Sequence, residues 1–214
     1  MAFDVPTYPR PLFITDAAIN ISPGLDQKRD IICNAIELAH ALGNHDPKVA
    51  ILSAVETVNP RMPSTLDAAA LCKMADRGQI KGGVLDGPLA FDNAISAQAA
   101  AIKHIESPVS GQADILMVPD LESGNMLAKQ LEYLAGATGS GIVLGARVPI
   151  ALTSRADGAN ARVASALLAL LIVQHNRARQ VAAPTRALPL AQPAATAPVA
   201  PAAPSNPDAS RQQA

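Results

Sequence analysis

The sequence contains very few aromatic residues, which make up 2% of its 214 residues, and it has no tryptophan. Proteins that hold single-stranded nucleic acids stack the bases on aromatic side chains, so no such platform is expected. Its 17 basic and 18 acidic residues almost cancel, so bulk charge does not attract a polyanion. We therefore expect no nucleic-acid partner and a core built from Ala, Val, Leu and Ile.

Cysteine is also scarce, and the two cysteines, Cys33 and Cys72, both fall within predicted helices. Their spacing supports neither a disulfide nor a metal pair, so we interpret them as small buried residues in a reducing compartment. The four histidines are scattered without metal-ligand spacing: His40, His45, His104 and His175. We expect no bound metal.

No segment has the length or pattern of a membrane element. The first residues lack the basic and apolar regions of a signal peptide. The longest apolar run, residues 163–173, is shorter than the roughly 20 residues that cross a bilayer. These features predict a cytoplasmic protein without a membrane partner.

Short apolar runs alternate with helical patterns along the chain. Strands are predicted at residues 12–15, 48–52, 82–85, 115–118, 141–145 and 149–152, and helices at 25–42, 64–77, 91–105, 126–135 and 159–179. Near-continuous apolar strands between helices predict an α/β fold, with a mostly parallel sheet and helices on both faces. In the first helix, Asp26, Lys28, Arg29 and Glu37 are assigned to the outer face.

The stretch from Asp114 to Lys129 carries the strongest local signal for a site. An apolar run ends at Pro119-Asp120, and Ser123-Gly124-Asn125 then precedes a helical pattern. A strand that leads through a polar turn into a helix N-terminus favours anionic groups. The alternative is an ordinary strand-to-helix loop capped by a serine.

Polar residues follow most of the predicted strands. In a parallel sheet, ligands bind beyond the carboxyl ends of the strands. The residues at those ends are Asp16, residues 53–56, residues 86–88, residues 119–120 and residues 153–155. We expect them to gather at one polar cleft.

Four segments in series resemble one family. They are DGPLAFDNAIS (86–96), SPVSGQADILMVPDL (107–121), GNMLAKQL (124–131) and PIALTSR (149–155). Their order and spacing are similar to those of phosphate acetyltransferases and phosphate butyryltransferases. The segment from Met62 to Ser96 resembles the butyryltransferase-like branch, which includes bifunctional enoyl-CoA hydratase/phosphate acetyltransferases.

The resemblance implies a reversible transfer in which acyl-CoA and phosphate give acyl phosphate and CoA. It implies a two-domain fold related to isocitrate and isopropylmalate dehydrogenases, with the active site between the domains, and a homodimer. Coenzyme A would be a substrate, and no tightly bound cofactor is implied. A dehydrogenase is disfavoured, because no G-x-G-x-x-G follows a strand.

The resemblance also assigns roles to residues. Ser154 would donate to the developing oxyanion, and Arg155 would hold the phosphoryl group, since a guanidinium matches two of its oxygens. The base expected shortly after this pair falls on Asn160 or Ala161, so Asp157 is the carboxylate left to activate the thiol. The substrate-binding residues would be Asp86, Gly87, Gly124, Asn125 and Asn160, with Lys129 either structural or a ligand contact.

The resemblance covers residues 4–179, and family members carry on the order of 100 further residues before it, a domain's worth. The chain would then correspond to the second domain and the terminal helix, as one domain at 1–180. An inactive remnant that acts as a binding or dimerisation module is the alternative function. Residues 181–214 are rich in Ala and Pro and are predicted to be a disordered tail.

Overall fold

The computed structural model describes residues 1–182, and the side chains of residues 1–179. Residues 1–182 form one compact unit. The strands are β1 (Ala2–Asp4), β2 (Leu12–Thr15), β3 (Lys48–Leu52), β4 (Val84–Leu89), β5 (Ile115–Met117), β6 (Thr138–Val143) and β7 (Ile150–Leu152). The helices are α1 (Leu25–Ala41), α2 (Pro63–Asp76), α3 (Phe91–Ile95), α4 (Ala97–Ile102), α5 (Leu121–Leu134) and α6 (Ala159–Ala182). Most of the predicted tail lies outside the described residues.

The seven strands form a sheet in the order β4-β3-β5-β2-β1-β6-β7. The four strands β4, β3, β5 and β2 pair in parallel, whereas β1 is antiparallel to β2 and β6, and β7 is antiparallel to β6. Short connections join β1 to β2 and β6 to β7, and they permit only antiparallel pairing, since a parallel pair needs a crossover. The prediction of a mostly parallel sheet therefore holds for one half of the sheet.

Helices cover both faces of this sheet, as predicted. The central strand β5 shows how: Ile115 and Met117 pack in the core with α1, α2 and α6. Leu116 points the other way, into the core with α3 and α5. All three side chains are essentially inaccessible to solvent. Burial of each contributes about 1.5–3 kcal/mol, which explains why an apolar run of this length forms a strand.

Several boundaries differ from the predicted ones. The predicted helix at 91–105 is two short helices, because the Ser96 hydroxyl accepts the Ala99 N–H and begins α4 there. Strand β4 continues through Asp86 and Gly87, which were predicted to follow it. Helix α5 begins at Leu121, so Ser123, Gly124 and Asn125 lie in its first turn rather than before it.

No helix in residues 1–182 combines the length and apolar character needed to cross a membrane.

The Cys72 thiol is predicted to react slowly with alkylating reagents. Cys72 packs against β4, and its Sγ lies 3.6 Å from the Gly87 carbonyl oxygen. Burial, with smaller contributions from Asp86 and Asp76, raises the pKa of Cys72 to about 12. Because the thiolate is the reactive form, iodoacetamide at pH 8 should alkylate Cys72 at least about 100-fold more slowly in the native protein than in denaturant. The rates are measured by peptide mass spectrometry. Equal alkylation rates in the two conditions would contradict the burial of the Cys72 thiol.

Candidate active site

The turn between β7 and α6 contains three of the predicted site residues. The Ser154 N–H donates to Asp157 Oδ2 at 2.6 Å, and the Asp157 N–H donates back to the Ser154 carbonyl oxygen at 3.2 Å. The Ser154 Oγ accepts the Ala156 N–H at 3.3 Å. Among the described residues nothing accepts the Ser154 hydroxyl proton, so this hydroxyl is able to donate to a ligand.

Arg155 and Asn160 are both exposed beside this turn. No carboxylate among the described side chains forms an ion pair with Arg155. Its guanidinium is therefore available to an anion, whose two oxygens it could bind at once. Asn160 lies in the first turn of α6, where an amide can bind but cannot remove a proton.

The first turn of α5 holds the second predicted group. The Asp120 side chain caps the helix by accepting from the Ser123 N–H at 2.8 Å and the Ser123 hydroxyl at 2.6 Å. These hydrogen bonds lower the pKa of Asp120. Gly124 is buried against the loop that follows β2, and the Asn125 Nδ2 donates to the Ala17 carbonyl oxygen at 3.3 Å. The start of α5 is thereby fixed to that loop.

Asp16 organises the loop itself. Its carboxylate accepts from the Ala18, Ile19 and Asn20 N–H groups at 2.8 to 3.1 Å and from the Asn20 Nδ2 at 2.7 Å. Burial alone would raise the pKa of Asp16, but these donors outweigh it and the pKa is lowered. The surface on which Gly124 and Asn125 rest is therefore built by one ionised side chain.

Replacing Asp16 by asparagine should destabilise the protein by about 1 kcal/mol at pH 7, because the new NH₂ group faces the N–H donors. A lowered pKa in the folded state stabilises the protein above the ordinary carboxyl pKa of about 3.9, and this contribution is lost as the pH falls through the folded pKa. Urea unfolding at pH 7, 5 and 3 should show the same difference between the two proteins at pH 7 and 5 and a smaller one at pH 3. A difference that stays constant with pH would contradict this role.

Lys129 lies one helical turn after Asn125 on α5. Its Nζ lies 2.9 Å from Glu132 Oε2 and 5.8 Å from the centre of the Tyr133 ring. The hydrogen bond that Lys129 donates to Glu132 is the main cause that raises the pKa of Lys129, and the charge of Asp157 adds a smaller contribution. The charge of Asp157, in the turn after β7, therefore acts on Lys129 of α5.

The residues predicted to follow the strands do not all gather at one edge of the sheet. Thr153, Ser154 and Arg155 follow β7, which runs opposite to β2, β3 and β5. The prediction that they share the carboxyl edge of the parallel strands is therefore wrong. Asp86 and Gly87 lie inside β4, where Asp86 pairs with Ala50 and a Cβ on Gly87 would lie 2.7 Å from the Ile51 carbonyl oxygen. That close approach gives Gly87 a packing role.

A hollow at the carboxyl ends of β3 and β5 was only partly anticipated. Ser53 and residues 119–120 line it, as expected of strand ends, but Lys28 and Asp67 line it too. Lys28 was assigned to the outer face of α1 and is instead buried, with its Nζ 2.6 Å from Asp67 Oδ2. Its position four residues before the buried Ile32 was the available signal, since such residues share a helix face.

No cluster of three or more metal-binding side chains occurs in residues 1–182.

The chain belongs to the phosphate acetyl/butaryl transferase family, whose model matches residues 3–170. It is 64% identical over 180 residues to a phosphate acetyltransferase of Rhizobium meliloti, an alignment that covers 84% of this chain and 57% of the relative. It is 54% identical over 168 residues to a probable phosphate butyryltransferase of Bacillus subtilis, covering 78% of this chain and 56% of the relative. The predicted resemblance is confirmed.

A solved structure shows the same fold. The crystal structure of a branched-chain phosphotransacylase from Enterococcus faecalis superposes with a TM-score of 0.73 at 38% identity, covering 81% of this chain and 62% of that one. The chain spans about half the length of the curated relatives that it matches, from 50% to 58%.

Proposed function

We propose that the protein catalyses acyl transfer between coenzyme A and inorganic phosphate, and that the chain supplies the Ser154 turn and α5 to that site. The turn is the observation that carries the proposal: among the described residues, the Ser154 hydroxyl proton has no acceptor and the Arg155 guanidinium has no carboxylate partner. Family membership and the names of the relatives support acetyl or butyryl as the group transferred.

In the direction of acyl-CoA formation, the CoA sulfur attacks the carbonyl carbon of the acyl phosphate. A C–S bond forms, the bond from carbon to the phosphate oxygen breaks, and phosphate leaves. The thiol proton passes to a base, for which Asp157 is the nearest carboxylate to Ser154. The Ser154 hydroxyl donates to the carbonyl oxygen as negative charge develops on it, and Arg155 binds the phosphoryl group.

The substrate phosphate also needs contacts on the α5 side. Asn125 and Lys129 lie there, and the Lys129 ammonium is charged at neutral pH, as lysines ordinarily are. The Lys129 ammonium is bonded to Glu132, but its side chain is flexible. It can therefore rotate towards a phosphate that lies within its reach. We assign Lys129 and Asn160 to ligand binding.

The direct test is an assay of the 214-residue chain with acetyl-, propionyl- and butyryl-CoA plus phosphate, in which the CoA released is detected by a thiol reagent. Saturable release that requires both substrates supports the proposal, and the ranking of the three thioesters identifies the acyl chain. Release no faster than in a reaction without protein would contradict it. Replacing phosphate by sulfate controls for simple thioester hydrolysis.

A second function, a binding or dimerisation module without activity, is favoured by one observation. Helix α6 leaves four large apolar side chains exposed, namely Val163, Leu167, Leu170 and Leu171. Exposed apolar patches of this kind mark association surfaces. A homodimer with a cytoplasmic location, which the free thiols favour, is part of either function. Light scattering coupled to size-exclusion chromatography tests the dimer.

A further inference from the structure

The hollow at the carboxyl ends of β3 and β5 has a volume of about 690 Å³, within the range of small-molecule sites. Three helices begin at its rim. The N-terminal residues of α2 (Met62, Pro63 and Ser64) and of α5 (Asp120 and Ser123) line it, as do Ser22 and Pro23 just before α1. The partial positive charge of three helix N-termini therefore converges on one space.

The wall of this hollow contains a buried cation. Lys28 is 6% exposed, and its Nζ makes one hydrogen bond to a described residue, with Asp67 Oδ2 at 2.6 Å. An ammonium group carries three donors, and leaving buried donors without acceptors is costly. Two N–H groups of Lys28 are thus available to an acceptor inside the hollow.

The charges around the hollow favour a ligand with a single negative charge. The charge of Lys28 faces two carboxylates, Asp67 and Asp120. The three helix termini add roughly +0.5 charge each, so positive charge exceeds negative by only about half a unit. A monoanion fits this balance, whereas a phosphate dianion would be repelled by the second carboxylate.

The other half of the lining is apolar. It consists of Leu52, Met62, Phe91, Val118 and Leu127, with prolines between them. Two hydroxyls also line the hollow, Ser53 after β3 and Ser64 on α2, with their Oγ atoms 2.8 Å apart. This arrangement suits a molecule with a polar head at Lys28 and Ser64 and an apolar body against Phe91 and Leu127.

The hollow is separate from the turn at Ser154. Residues of an α-helix are spaced by about 100°, so Ser123 and Leu127 lie about 200° around α5 from Asn125 and Lys129. Gly124, Ala128 and Leu131 are buried between these two flanks. Helix α5 therefore divides the hollow from the side that faces Asp157.

We propose that the hollow is a second ligand site for an organic monocarboxylate with an apolar body, bound by Lys28 and the N-terminus of α2. The site does not depend on the proposed acyl transfer, because its residues lie on the other flank of α5.

Octanoate is the probe, with octanol and octyl phosphate as comparisons, and binding to the full chain is measured by calorimetry and NMR. We expect saturable octanoate binding that shifts the signals of Phe91 and Leu127, at least about tenfold weaker binding of octanol, and no tighter binding of octyl phosphate. No saturable octanoate binding, octyl phosphate binding more tightly, or shifts confined to Asn125, Lys129 and Asp157 would each overturn the proposal.

Two variants separate binding from folding. Lys28→Met should weaken octanoate binding about tenfold or more while leaving that of octanol unchanged. Leu127→Trp fills the hollow from a half-buried position and should abolish both without touching the ion pair. Lys73→Met makes the same chemical change at an exposed lysine of α2 and should leave the affinity unchanged. Unaltered octanoate affinity in a folded Lys28→Met or Leu127→Trp protein contradicts the site.

Discussion

Ser154→Ala is expected to slow acyl transfer by about 10²–10³-fold, the effect of removing one donor from an oxyanion site. The Ser154 hydroxyl interacts with the described protein only by accepting the Ala156 N–H at 3.3 Å, while the turn is held by the Ser154 N–H and Asp157. The backbone contacts survive the substitution. The loss should therefore appear in kcat, with the KM values and the thermal midpoint almost unchanged.

Ser110→Ala is the matched control, because the Ser110 hydroxyl donates a long hydrogen bond of 3.5 Å to the Ser107 carbonyl oxygen, and Ser110 lies outside the proposed site. It should leave kcat within about twofold, as expected of a surface substitution. If Ser154→Ala lowered the thermal midpoint and the rate together, the hydroxyl would be a structural cap. If neither changed, Ser154 would have no part in the chemistry.

The fold was predictable where a local pattern matches a buried environment. The apolar run at Ile115–Met117 lies on a strand whose two faces are both covered, so every side chain had to be apolar. Strand direction was not predictable in this way. Nothing in the sequence of Ile150–Leu152 states that it pairs antiparallel with β6, because that depends on the length and course of the connection between them.

Lys28 shows a second limit of sequence reasoning. A lysine near other charges was assigned to solvent, as charged side chains usually are. Its burial depends on Asp67, 39 residues further along the chain, and such a partner is visible only after α1 and α2 pack together. The site residues divide similarly: Ser154 and Arg155 came from the family resemblance, whereas the contact between Asn125 and Ala17 came from the structure.

The start of α5 was misplaced for a local reason. Asp120 is three residues before Ser123 and caps the helix through the Ser123 N–H, a pattern that marks a helix N-terminus. The prediction used Pro119-Asp120 as the end of the strand and began the helical pattern at Met126. Glycine is normally unfavourable inside a helix, so its presence in the first turn of α5 requires a tertiary explanation.

That explanation gives the second large prediction, for Gly124→Ala. Helix propensity alone predicts a gain of about 1 kcal/mol. However, a Cβ at Gly124 would lie 2.8 Å from the Asp16 carbonyl oxygen, 2.8 Å from Val118 Cγ2 and 3.0 Å from Ala17 Cα. Two of these atoms are backbone and cannot move without displacing the loop, so overpacking of about 1–3 kcal/mol should outweigh the gain.

We therefore expect Gly124→Ala to lower the free energy of unfolding by about 1 kcal/mol in urea, since overpacking of about 2 kcal/mol exceeds the helix-propensity gain of about 1 kcal/mol. Gly158→Ala is the control for stability, because apart from its chain neighbours no described atom lies within 4 Å of the added Cβ. The displaced loop should also break the Asn125 contact with Ala17 and raise the KM for phosphate, which separates this variant from Ser154→Ala. A Gly124→Ala protein as stable as the parent would show that α5 does not press on the Asp16 loop, and the substrate-side geometry proposed for Asn125 would then lose its support.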